Sequence, residues 1–276
     1  MQDYNYHCHN SFENIFDGKN TIDEMLSAYK EKGFKEVGIS NHFICHRAIA
    51  NGPHLHNQNF YDINKFIEIA KRMFEQIDIS SEKLKIKTYK GFEVDYFFDG
   101  KWYKDFEKMV NIIKPDFLIG TSHFLNFKDE DKLYNLYHLK WLPDNLCDED
   151  KDEMLTCYWN KEIAAAKSGY FNFIAHPDYC SQFGFCLEDK WIDKKMEFIS
   201  ALQEGKCACE VNTGGLRREI GRPYPDWWMI KEMISREIPL IISDDAHTVE
   251  DVGSGFSDVE EKLAEFKCKK RYKLKK

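Results

Sequence analysis

The chain has little of what several function classes require. No apolar run approaches the roughly 18–20 residues of a membrane span, and the opening MQDYNYHCHN has neither the basic nor the apolar region of a signal peptide. Basic charge is in deficit: 39 Lys plus Arg against 47 Asp plus Glu leave a formal charge of −8, with an isoelectric point near 5.7. Broad nucleic-acid or anionic-membrane binding rests on clustered basic charge, so neither partner is expected. The nine cysteines are odd in number and contain no CxxC pair, which argues against a disulfide framework and reads most of them as small buried hydrophobes in a cytoplasmic protein. Neither GxGxxG nor GxxxxGK[ST] follows any candidate strand, which removes support for a nucleotide-binding fold. GxSxG and an N-terminal DxDxT are also missing, and no other protein nucleophile stands out. There is no repeat, low-complexity tract or linker, so residues 1–276 are expected to form one domain.

What is present is a hydrophobic fraction of 43%, with 6 Trp, 14 Tyr and 21 Phe to build a core or pocket. Short β-prone runs recur: DYNYHC at 3–8, KEVGIS at 35–40, KIKTYKGFEV at 85–94, DFLIGTS at 116–122, FNFIA at 171–175, ACEVN at 208–212 and PLIIS at 239–243. Amphipathic segments lie between them, the clearest opening on the capping-box pair Thr21 and Glu24 and stopping at Gly33. Others run over about 62–76, 102–113, 154–167, 189–204 and 226–236. Strands alternating with helices predict a parallel sheet, and this length favours a closed or nearly closed βα barrel over an open doubly wound sheet. Two connections, 43–60 and 124–153, exceed the few residues usual in a βα loop and are candidate lids or substrate loops. The lysine-rich end, KCKKRYKLKK, reads as a solvated terminus.

The chemistry collects where the strands end. The first run closes on His7-Cys8-His9, the second on Asn41-His42, and the third on Glu93. The fourth closes on His123, the fifth on His176, and the seventh on Asp245-Ala246-His247. Each residue alone has an ordinary explanation as a core pair, a loop start or a strand terminator. Together they place six of the ten histidines with two acids at strand ends that converge on one mouth of a parallel barrel. Neutral imidazoles and carboxylates make sites for Zn, Mn or Fe, and these are too many for one ion. His46, His54, His56 and His138 lack this placement and read as loop residues, His54 and His56 with a possible role in contacting substrate.

In this order, HxH, ISNHF, GFEVDY, GTSHFL, AHPD, EVNTGGLRR and SDDAHTVEDVG resemble the PHP (polymerase and histidinol phosphatase) superfamily, most closely its histidinol-phosphate phosphatases. The resemblance runs from residue 3 to about 255 and implies a distorted (βα)7, TIM-like barrel holding three divalent ions at the carboxyl ends of its strands. It implies that His7, His9, Glu93 and Asp245 hold one ion, and that Glu93 bridges to a second completed by His123 and His176. His42 and His247 would hold the third with Asp17 of FDG. That loop is longer than the family spacing, which leaves Glu13 as the alternative. Asn41 replaces the acid usual before the second-strand histidine and should weaken support for His42.

The implied reaction is hydrolysis of L-histidinol phosphate to L-histidinol and phosphate, a step of histidine biosynthesis. A hydroxide shared by two ions would attack phosphorus while the third ion clamps phosphate oxygens. Arg217 would fork a phosphate oxygen, ahead of Arg218. Asp245 or His247 would protonate the leaving group, with water an equal candidate. Another small phosphate ester, such as a sugar or nucleotide monophosphate, keeps the same site. A binuclear amidohydrolase also begins with HxH, but it typically carries a bridging Lys on the fourth strand, where this chain has His123. An inactive, partner-binding relative is the non-enzymatic alternative. Asp17, Glu93 and Asp245 set against three divalent ions would make a cationic pocket inside an acidic protein.

Overall fold

A computed structural model describes residues 2–46, 62–126, 133–136 and 147–275. The elements follow in the order β1 (Tyr4–Asn5), α1 (Ile22–Glu31), β2 (Glu36–Ile39), β3 (His42–Phe43), α2 (Ile63–Leu84), β4 (Lys87–Asp95) and α3 (Gly100–Ile113). Then come β5 (Phe117–Thr121), β6 (Phe124–Asn126), β7 (Leu133–Asn135), α4 (Asp148–Lys167), β8 (Phe173–Ile174) and α5 (Ile192–Gly205). β9 (Ala208–Asn212), α6 (Trp227–Ser235), β10 (Leu240–Ser243) and α7 (Phe256–Glu265) complete the order. Helix starts follow their caps. Thr21 and Glu24 form the expected capping box on α1, while Asp62, Asp99 and Asp226 accept first-turn amides of α2, α3 and α6. α7 was not legible as a separate helix in the sequence pattern.

Seven strands run parallel in the order β1-β2-β4-β5-β8-β9-β10, with β3 added beside β4, and every expected run supplies one of the seven. At the seam between β1 and β10, Cys8 and Ala246 form a parallel bridge and the amide of His9 donates to the Ala246 carbonyl at 2.9 Å. Lower down, the Gln2 side chain completes the seam, donating to the Ile242 carbonyl at 2.6 Å and accepting from the Ile242 amide at 3.2 Å. The result is a nearly closed (βα)7 barrel.

Side chains alternate along each strand, so one parity faces the barrel axis and the other the helices. The inward set begins apolar: Tyr6, Tyr89, Phe117, Ile119, Phe173 and Ile241 form one buried cluster. The Phe117 ring fits because Gly38 and Gly91 face it, and a Cβ at Gly91 would lie 2.6 Å from that ring. Two residues further up the same inward faces, the chemistry changes: Ile241 gives way to Ser243 and Asp245, and Ala208 to Glu210 and Asn212.

The basic end of the chain is not a solvated tail. The Leu240 amide donates to the Lys270 carbonyl at 3.1 Å, and the Tyr272 amide to the Leu240 carbonyl at 2.8 Å. Leu274 is buried in the apolar barrel cluster, with Tyr272 packed against it. Lys273 meets Glu36 at 3.1 Å, and Arg271 meets Glu260 at 3.2 Å. Alternation explains the difference: Arg271 and Lys273 point outward to acids while Tyr272 and Leu274 point in, so the segment plugs the barrel floor.

Most of the first long connection, and much of the second, lie outside the described residues, including His54, His56 and His138. Within the second, β6 and β7 pair as an antiparallel hairpin. His46 is buried, its ring stacked on Phe97 with centroids 4.4 Å apart.

Candidate metal centre

All the strand-end residues singled out above meet at the carboxyl mouth. Their ligand atoms form four overlapping groups: His9, Asp17, His42 and His247; His7, His176 and Asp245; His7, His9 and Glu93; His42, Glu93 and His123. Within each group the atoms lie within 4.8 Å of one another. Glu93 stands at the middle. Its Oε1 lies 2.8 Å from His176 Nε2 and 3.6 Å from His123 Nε2. Its Oε2 faces His42 Nδ1 at 3.0 Å, His7 Nε2 at 3.4 Å and His9 Nε2 at 3.5 Å.

Asp17 rather than Glu13 enters the centre. Its Oδ2 sits 3.3 Å from both His42 Nε2 and His247 Nε2. Glu13 turns outward and forms a two-pronged pair with Arg72 at 2.6 and 2.8 Å. Asp17 is also the most open member, its side chain 41% exposed where that of Glu93 is 1%.

Whether these residues fit divalent cations is decided by what they leave unsatisfied. His7 Nε2, both ring nitrogens of His9, His42 Nδ1, Glu93 Oε2 and Asp245 Oδ1 are buried without a hydrogen-bond partner. Buried polar atoms are ordinarily paired, so so many converging lone pairs mark a place for cations. The tautomers agree. The ionised Glu210 can only accept, so His7 Nδ1–H donates to it at 2.6 Å and Nε2 is turned inward. His247 Nδ1 likewise donates to the Asp245 carbonyl at 3.0 Å, leaving Nε2 toward Asp17.

Without cations the charges answer one another. Burial works against ionisation of Asp17, Glu93 and Asp245, yet the facing histidines hold all three carboxyls well below their ordinary range. Burial would also lower His247, but Asp17 carries it up to about 9. His9 behaves oppositely: burial and the neighbouring His247 and His42 push it down to about 4, leaving it neutral and free to ligate.

Three further buried carboxylates went unread in the sequence. Asp95 accepts the His123 amide at 2.6 Å and lies 3.3 Å from its Nδ1. Glu210 supports His7 and accepts the His176 amide at 2.6 Å. Asp244 accepts from the Tyr29 hydroxyl at 2.6 Å and the Gly253 amide at 2.7 Å, bracing the turn that carries Asp245. Each had a visible signal: Glu210 interrupts an apolar strand, Asp95 is two residues beyond Glu93 on the same face, and Asp244 adjoins Asp245. Ionised, they would offset the positive charge of three ions, so the pocket is closer to neutral than the sequence alone suggests.

Two supporting roles differ from expectation. Asn41 does not brace His42: its Oδ1 accepts the Asn10 amide at 2.9 Å and its Nδ2 reaches Met73 Sδ, so it anchors the turn after HxH. Arg217 donates to the Asp244 carbonyl at 2.7 Å and pairs with Asp251 at 3.2 Å, leaving one buried guanidinium nitrogen without a partner. Arg218 is exposed.

This barrel and its mouth full of histidines and carboxylates define the class. The chain belongs to the PHP domain family, whose model matches residues 5–214. It is 24% identical over 266 residues to a Thermotoga maritima protein named probable histidinol-phosphatase, an alignment covering 94% of this chain and 91% of that one. A 59-residue stretch, 21% of this chain and 22% of its relative, is 36% identical to a Bacillus subtilis histidinol-phosphatase. Among solved structures, histidinol phosphate phosphatase from Lactococcus lactis, determined with zinc, L-histidinol and phosphate, superposes with a TM-score of 0.72. The match covers 99% of this chain and 97% of that one at 14% identity, and it bears on the fold.

Proposed function

We propose that this chain is a metal-dependent phosphomonoesterase that hydrolyses L-histidinol phosphate to L-histidinol and phosphate. The observation that carries the reading is the convergence of six histidines with Asp17, Glu93 and Asp245 around buried, unpartnered ligand atoms. The PHP family membership and the naming of the full-length relative support the substrate. Three divalent ions, Zn, Mn or Fe, suit the donor set: His7, His9, His42, His123, His176 and His247 with the three carboxylates. When bound, such ions lower the pKa of water and stabilise charge on a transferring phosphoryl group.

The protein's own groups have distinct tasks in this reading. Glu93, with one oxygen toward His176 and His123 and the other toward His7, His9 and His42, would be the acid shared between the ligand sets. Asp245, held ionised by His7 and His9 against burial, suits taking a proton from the attacking water more than supplying one. His247, with Nδ1 committed to a carbonyl, orients Nε2 toward the open side of the centre beside Asp17. The leaving oxygen then takes its proton from solvent. The uncommitted nitrogen of Arg217 is the candidate to hold a phosphate oxygen.

The test is phosphate release from L-histidinol phosphate by protein loaded with Zn or Mn, measured beside sugar and nucleotide monophosphates. The histidinol ester should have the highest kcat/KM, and chelation should abolish turnover. Undiminished turnover by metal-free protein would overturn the mechanism, and a preferred sugar or nucleotide would overturn the substrate. Elemental analysis should count three ions.

A further inference from the structure

Six of the seven barrel strands run out into residues of the centre. The exception is β9, whose two upper inward-facing residues are Glu210 and Asn212. We propose that Glu210 is a positioning residue that builds the deep half of the metal centre, His7, His176 and Asp245, before any cation arrives. The inference rests on the metal-centre reading above and adds an assignment of which ligands are preset and which are recruited.

Glu210 is fully buried and spends its carboxylate on neighbours from three other strands. Oε1 accepts from His7 Nδ1 at 2.6 Å, beyond β1, and from the Ser243 hydroxyl on β10. Oε2 accepts the His176 amide at 2.6 Å, beyond β8, and the Asn212 side-chain amide at 2.9 Å. Asn212 passes the constraint on, with its Nδ2 3.4 Å from Asp245 Oδ2. His176 and Asp245 hold positive φ angles, 22° and 51°, that non-glycine residues seldom adopt, so both turns need such external restraint. One carboxylate therefore anchors His7 Nδ1, the His176 backbone and, through an amide, the Asp245 carboxylate. The outer group lacks this. Asp17 comes from a loop beginning with a short 3-10 turn, and its side chain is 41% exposed. The deep ligands should bind metal first and tightly, with the Asp17 group filling last.

The discriminating variant is Glu210→Gln, which keeps the shape but removes one of two acceptor oxygens. In metal-free protein, NMR of the His7 ring should report a strongly hydrogen-bonded, exchange-protected Nδ1–H in the wild type and a weakened, faster-exchanging one in the variant. This readout needs neither metal nor substrate, so it stands even if the phosphatase reading fails. Stepwise zinc titration against a chelator should then lose about 10- to 100-fold in the tight step, the usual cost of removing a ligand's hydrogen-bond partner. Asp17→Asn should instead weaken only the last step. Glu210→Asp keeps the charge and should recover part of the affinity, and it serves as the readable variant if Gln prevents folding. An unchanged His7 Nδ1–H signal, or tight-step affinity within twofold of wild type, would overturn the proposal. So would a loss confined to the last step.

Discussion

The two ends of the barrel are built from the same strands, yet they have opposite contents. At the floor, Tyr6, Tyr89, Phe117, Phe173 and the returning Leu274 fill the axis with rings and an aliphatic side chain, the Tyr6 hydroxyl donating to Glu36 at 2.8 Å. At the mouth, histidines and carboxylates fill it with groups that are satisfied only by each other or by cations. One end is expected to carry stability and the other chemistry, and the boundary lies within single strands, as between Ile241 and Ser243 of β10. A fold can thus hold a costly polar cavity because the apolar layer beneath it is complete.

The sharpest way to break the comparison is at Glu93. Glu93→Gln should cost at least about 10³-fold in kcat, since it removes charge shared by two ligand sets, while circular dichroism should report an intact fold. Asp17→Asn should cost about 10- to 100-fold in activity with loss of one bound ion by elemental analysis, whereas Glu13→Ala should leave kcat within about twofold. Turnover by Glu13→Ala falling as far as by Asp17→Asn would reverse the loop assignment.

The floor should respond in the other currency. Leu274→Ala should lower unfolding free energy by about 2 kcal/mol in denaturant titration, with metal content and kcat/KM unchanged. Loss of metal in that variant would mean the two ends are not separable.

The last prediction concerns pH in the metal-free protein. His247 is raised, so the stability from its charge is full below pH 6.5 and is lost as pH rises through about 9. Asp17, Glu93 and Asp245 are depressed, so their contribution is present above their ordinary values of 3.8 to 4.5 and fades as pH falls through their lowered values. His9 is lowered to about 4, so it costs stability as pH falls below 6.5, and the melting temperature without metal should therefore be highest near pH 6.5. Metal needs neutral histidines, so the loaded protein should hold its stability at pH 8 and metal uptake should release protons. A metal-free melting temperature that climbs steadily to pH 9 would contradict the pairing of His247 with Asp17.

The sequence made the ligands legible because each sits at a strand end, where an apolar run stops and a polar residue begins. Asp17 was harder, since a loop has no periodicity to fix where its side chain points, and only the outward pairing of Glu13 with Arg72 decided it. Asn41 was legible only as a missing acid before His42, and where its side chain goes instead, to Asn10 and Met73, depends on the folded turn. The tail misled because its lysines dominate the composition, although Tyr272 and Leu274 carry the packing.

What the sequence by itself determined is the barrel and the histidines and carboxylates that gather at its mouth. Period-two apolar runs and capped amphipathic helices are local patterns, and alternation brings parallel strand ends to one mouth wherever the strands pair. What only the tertiary structure decided is support: Glu210 under His7 and His176, Asp95 under His123, and Asp244 under the Asp245 turn. The Glu210 and Asp95 contacts, and the Tyr29 hydroxyl that holds Asp244, join residues far apart in the chain, which no local pattern can encode.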